Sequence, residues 1–128
     1  MAPDQTKQQR VTEATATTER LMRPQQVPVN VYATSDALVI VAPLPAVQPD
    51  DVTIDLTPRC LRITARLRTA APKDYLVHEW DYGGYERELD LPDGFGGAVE
   101  ASLANGQLAV RVLRGEPSGR VSVQPRLG

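Results

Sequence analysis

The sequence predicts an all-β chain folded as an antiparallel β-sandwich. Short runs with period-two alternation recur between Val27 and Val112, separated by clusters of Gly, Pro, Asn and Asp. No good helical pattern lies among them. Asn105-Gly106, set between two alternating apolar runs, is the strongest short-range signal for a β-hairpin.

The elements follow in order. Residues 1–26 are rich in Thr, Gln, Glu and Arg, with Val11, Leu21 and Met22 the only large apolar residues. The threonines weaken any helix, so this stretch reads as a flexible arm. From Val27 the texture changes. Val27, Val29 and Val31 alternate with Pro28, Asn30 and Tyr32, and Pro28 assigns this strand to a sheet edge because it cannot donate to a ladder. Thr34-Ser35-Asp36 turns the chain into Leu38-Val39-Ile40-Val41, apolar on both faces and therefore a central strand. Pro43-Leu44-Pro45 ends it, and Gln48-Pro49-Asp50-Asp51 makes a second turn. Val52, Ile54 and Leu56, then Leu61, Ile63 and Ala65, are half-buried patterns joined at Thr57-Pro58-Arg59.

Between Arg66 and Tyr85 the regularity lapses, over a stretch too long for a tight hairpin. Inside it Tyr75-Leu76-Val77-His78-Glu79-Trp80 is strand-like. Tyr85–Leu91, Val99–Leu103 and Leu108–Val112 complete the set, with Pro92 a hard stop after the first.

At 128 residues the chain holds one domain with tails. A net charge of −2, with arginines interleaved among acids, gives no basic stripe for nucleic acid. The single cysteine, Cys60, cannot form an internal disulfide and reads as a small buried hydrophobe. Met1 to Lys7 carries no apolar core of a signal peptide, and no stretch is long and apolar enough to span a bilayer, so the expected location is cytoplasmic.

No catalytic constellation stands out. His78 is the only histidine and has no companion cysteine, so a metal site is unsupported and a strand-exposed imidazole near an interface is expected. Gly94-Phe95-Gly96-Gly97 lacks the Lys-Ser/Thr of a phosphate loop and reads as a flexible turn. Asp50-Asp51 reads as solvated charge in a turn. The expectation is a protein that is not an enzyme and needs no cofactor, working through surfaces. In the tail, Val121 and Val123 stand two apart in a stretch of Gly, Pro, Ser and Arg. On an extended segment both face one side, suited to two adjacent apolar sockets. The plainer reading is a ninth strand or a frayed tail. The eight residues from Leu113 to Arg120 reach about 27 Å when extended, enough to leave the parent domain.

Tyr85…Leu91-Pro92, Ala101-x-x-x-Asn105-Gly106-x-Leu108 and Val121-Ser122-Val123, in that order, resemble the small heat-shock protein (alpha-crystallin/Hsp20) family. Val29-Asn30-Val31-Tyr32 and Ala42-Pro43-Leu44-Pro45-Ala46-Val47 look like that family too. The resemblance implies an immunoglobulin-like sandwich over residues 27–112, a flexible arm over 1–26 and a flexible tail over 113–128. It implies an ATP-independent holdase of the stress response, with non-native client proteins, a homodimer and higher homo-oligomers as partners. Val121 and Val123 would dock in a neighbour's groove walled by Val52, Ile54, Leu56, Val99, Ala101 and Leu103. Tyr75, Leu76, Val77, His78 and Trp80 would add as a strand to a partner's Val29 and Val31. Arg87 would support that dimer by pairing with Glu79, Asp81 or Glu86.

Two departures from the family pattern shape the expectation. No Phe, Trp or Tyr precedes Tyr32, and the tail carries valines where isoleucine is usual. Losing a methylene costs about 0.8 kcal/mol per socket, so assembly is expected to be small or readily dissociated by warming. The alternative is a β-sandwich adaptor or co-chaperone of the p23/CS kind, binding one native partner through a sheet edge.

Overall fold

A computed structural model of the chain describes residues 25–66, 74–79, 84–117 and 119–128. Among the described residues, ten strands form two five-stranded sheets. They are β1 (Gln25–Gln26), β2 (Asn30–Ala33), β3 (Ala37–Pro43), β4 (Val52–Thr57), β5 (Cys60–Ala65), β6 (Tyr85–Asp90), β7 (Phe95–Ala104), β8 (Gln107–Arg114), β9 (Val121–Val123) and β10 (Arg126–Leu127). One sheet runs β1-β6-β5-β4-β9 and the other β10-β7-β8-β3-β2. The expected all-β sandwich is the observed fold.

The core lies between the sheets and follows the predicted alternation. Val52, Ile54 and Leu56 of β4, Leu61 and Ile63 of β5, and Leu108, Val110 and Val112 of β8 are almost fully enclosed. Tight turns set the register of the two local hairpins. Thr57 pairs with Cys60 across the β4–β5 turn, and Ala104 pairs with Gln107 across Asn105-Gly106. Both residues of that second turn have positive φ, 54° and 75°, the backbone of a type I′ hairpin and the reason for Asn-Gly there. Its outer carbonyl also serves the domain, since Leu44 N–H donates to Gly106 O at 2.7 Å.

Several sequence expectations change in detail. The first strand starts after Pro28, at Asn30, because a proline cannot enter the ladder; Val27 is buried below it instead. The edge placement holds, for among the described residues β2 pairs with β3 alone. The glycine cluster is not a flexible turn. Phe95, Gly96 and Gly97 belong to β7, with a register shift between Phe95 and Val99. A Cβ on Gly97 would lie 2.7 Å from the Arg114 carbonyl oxygen, so glycine there permits the close approach of the two strands. Asp51 is not solvated. It ends a 3-10 turn (Pro49–Asp51), and its side chain accepts from Gln48 N–H at 3.0 Å and pairs with Arg66 at 3.2 Å. A buried carboxylate persists when partnered in this way. Cys60 is half-buried, not enclosed, because by alternation it shares the outer face of β5 with Arg62 and Thr64 while its neighbour Leu61 faces the core.

Each terminal segment crosses from one sheet to the other. On one side of the sandwich, β1 lies parallel to β6 and β2 antiparallel to β3, with Val27 buried at the crossing. On the opposite side, β9 lies antiparallel to β4 and β10 parallel to β7.

Candidate functional site

Two edges and one groove hold the residues singled out in the sequence. The groove lies between β4 and β7, and in this chain it is filled by the chain's own tail. Val123 stands opposite Ile54, Ser122 opposite Asp55 and Val121 opposite Leu56. The two valines are half-buried and pack on the core that includes Ile54, Leu56 and Leu103, with Val99 and Ala101 beside them. Within the single chain, Ile54 and Leu56 of the expected groove stand opposite the tail valines, and Val99 and Ala101 line the same cleft as Val123, while Val52 is enclosed in the core opposite Ala65. The tail expected to be flexible carries two short strands on its own domain. Polar contacts at the rim add to the docking. Arg120 Nη2 lies 3.5 Å from Asp55 Oδ1, and Gln124 Nε2 donates to the Asp50 carbonyl at 3.2 Å.

Sequence reasoning missed Pro125. It is buried, and with Val121 and Val123 it continues the same two-residue spacing. The signal was present as Val-x-Val-x-Pro, hidden because proline is usually taken as the end of a strand. Beyond it a cleft of about 450 Å³ opens beside the tail, lined in part by Glu100, Ser102, Arg111, Gln124 and Arg126. Arg111 Nη1 donates to Glu100 Oε2 at 2.9 Å on this face, so the pair is already satisfied.

The second region is the edge at β2. Val31 and Tyr32 are 47% and 54% exposed, and the outer backbone of this strand has no neighbour among the described residues. Val29 packs against the core and does not face outward. The segment 74–79 forms no strand in the single chain and is exposed throughout. Leu76 and Val77 point into solvent, and Tyr75 stacks on His78 with ring centroids 4.5 Å apart. Trp80 and Asp81 lie outside the described residues.

Arg87 sits on β6, where its Nη1 donates to the Val27 carbonyl at 3.2 Å. Its Nε is buried without an acceptor, and no acid pairs with it among the described residues. Glu86, one expected partner, pairs with Arg62 instead, because on a strand it faces the opposite side from Arg87. Arg87 therefore ties the N-terminal crossing to β6 within one chain. On the neighbouring strand β5, burial and the nearby carboxylates of Glu88 and Asp90 push the Cys60 thiol above its ordinary pKa, disfavouring the thiolate. Among the described residues no group of His, Cys, Asp and Glu could hold a metal ion, and no helix is long and apolar enough to cross a membrane.

The fold and site define a two-sheet β-sandwich domain with a bare edge strand and a groove occupied by an extended valine pair. Residues 30–124 match the Hsp20/alpha crystallin family model, and the chain belongs to that family. Its members are the small heat-shock proteins, which are chaperones and not enzymes. Solved structures with the same fold include hspA from Xanthomonas axonopodis, 20% identical, covering 75% of this chain and 100% of that one at a TM-score of 0.62. A small heat-shock protein from Xylella fastidiosa is 21% identical, covering 80% and 95% at a TM-score of 0.60. Heat shock protein 16.0 from Schizosaccharomyces pombe is 20% identical, covering 74% and 71% at a TM-score of 0.62. No curated protein sequence matches the chain.

Proposed function

We propose that the chain is an ATP-independent holdase of the cytoplasm, working as a strand-exchanged homodimer that associates further through its tails. The observation that supports this best is the open edge of β2, with Val31 and Tyr32 exposed beside an unpaired backbone. Such an edge is an aggregation hazard in a lone chain and is covered when a second copy adds a strand. The exposed Leu76 and Val77, on a segment with no strand of its own, supply the apolar residues for that addition. Segments of unfolding proteins have the same chemistry, extended and apolar, and fit the same edges and groove.

A heat-labile client warmed with increasing amounts of the chain, without nucleotide, tests this reading by light scattering. Scattering is expected to fall at near-stoichiometric ratios. Unchanged scattering, with the chain itself still folded by circular dichroism, would overturn client capture. A second reading, an adaptor of the p23/CS kind, is favoured by the tail lying on its own domain, where it does not link copies. A monomer at all concentrations would select it.

A further inference from the structure

We propose that residues 121–127 act as a two-sheet clasp that closes the chain's own groove, with Pro125 as a third rung beyond the valine pair, so that linking copies through the tail requires clasps to be exchanged. This deepens the tail-docking reading above and rests on it. Three sets of contacts carry it. First, the docked segment is longer than the valine pair. Val121, Val123 and Pro125 point the same way at a period of two, and the proline is the most enclosed of the three. Proline has no N–H to leave unpaired, so it can end β9 inside the groove and turn the chain across it. Secondly, the segment then joins the other sheet. Arg126 pairs with Ser102 and Leu127 with Leu103 in a parallel bridge, and Gly128 N–H donates to the Leu103 carbonyl at 3.0 Å. The family match stops at residue 124, short of β10, so this second attachment belongs to the part of the chain beyond it.

Thirdly, the connection from β8 is laid back along its own domain. Strand β8 runs to Arg114, which shortens the free connection to residues 115–120, about 20 Å at full stretch. Gly115 N–H donates to Gly94 O at 3.0 Å, and Pro117 lies beside Gly96, where an added Cβ would meet its ring at 3.4 Å. Arg120 then reaches Asp55 at the rim. A tail tethered so briefly beside its groove is present there at an effective concentration on the order of millimolar. A neighbour's tail at micromolar protein concentration competes at a disadvantage of about a thousand-fold. Copies already held together by another contact remove much of that disadvantage, so exchange follows dimerisation and does not precede it.

The register supplies the test. Asp55 and Ser122 stand directly opposite each other on antiparallel strands, a spacing of about 4.5–5.5 Å between Cα atoms that matches a disulfide. In full-length protein carrying Cys60→Ser, the pair Asp55→Cys and Ser122→Cys is oxidised over about a hundred-fold range of protein concentration. The expected product is a single-chain disulfide whose yield does not change with concentration, and adding Pro125→Ser lowers that yield several-fold. Covalent multimers whose yield rises with concentration would overturn the proposal, as would no disulfide at all. An unchanged yield with Pro125→Ser would remove the third rung. Hydrogen exchange on the unmodified chain reads the same contact without a substitution. Protection of the 121–123 amides at the lowest concentration supports the clasp, and its appearance only at high concentration refutes it. Client scattering plays no part in these readouts, so failure of the clasp and failure of the holdase reading are separable.

Discussion

The two long sides of the sandwich are closed by opposite ends of the chain, and they are closed differently. On the N-terminal side, one deeply buried residue, Val27, anchors the crossing, and Arg87 ties its carbonyl to β6. The strand that follows, β2, turns a bare edge to solvent. On the C-terminal side, the anchors are two half-buried valines and a proline, and both sheet edges, β4 and β7, are covered. One side is firmly attached and leaves an edge open; the other covers its edges with lighter contacts. Strong anchoring suits a permanent interface, and light anchoring suits a surface that must be uncovered.

Substitutions sharpen that contrast in order of size. Val27→Ala removes enclosed methyl groups and is expected to cost about 2 kcal/mol, read as a lower urea midpoint at unchanged slope. A loss no larger than that of a surface variant would show that the N-terminal side is not firmly held. The double variant Val121→Ala/Val123→Ala removes half-buried groups and is expected to cost about 1–2 kcal/mol in all. It differs in kind as well, since the loss is confined to faster hydrogen exchange at Ile54, Leu56 and the tail while β5 and β8 remain protected. Uniform loss across the core would break the distinction between the two sides. Arg120→Ala has the smallest effect. Its side of the ion pair with Asp55 is mostly exposed and the pair is worth less than about 0.5 kcal/mol, so the change in tail protection is expected at low ionic strength and vanishes in about 1 M salt.

Much of this fold was legible because the chain is locally consistent. Period-two alternation in 52–57 and 61–65 and the Asn105-Gly106 turn each specify strand and register through contacts close in sequence. What sequence did not reveal depends on distant partners. Asp51 is buried because Arg66 and the Gln48 N–H are brought to it, and nothing in a Pro-Asp-Asp turn announces that. Gly97 enters a strand because Arg114 of β8 approaches too closely for a side chain, a constraint visible only across the sheet. Arg87 reads as an interface charge, and nothing in the sequence announces that among the described residues its guanidinium meets a backbone carbonyl sixty residues earlier. For the groove, both halves could be read from alternation, but not that one chain would supply both.

The hairpin β4–β5 closes across Thr57 and Cys60, and β7–β8 across Ala104 and Gln107, so both nucleate with almost no loop to order. By contrast, pairing β1 with β6 joins Gln25 to Tyr85, and pairing β9 with β4 joins Val123 to Ile54. Contacts so distant in sequence carry a loop-closure cost that local hairpins escape, and they form after the hairpins are in place. The C-terminal pairing, held by half-buried valines, is then expected to open on warming before the core melts. A rise in temperature is thereby expected to uncover the β4 and β7 edges while the domain that presents them is still folded, which hydrogen exchange at residues 121–123 followed against temperature would check.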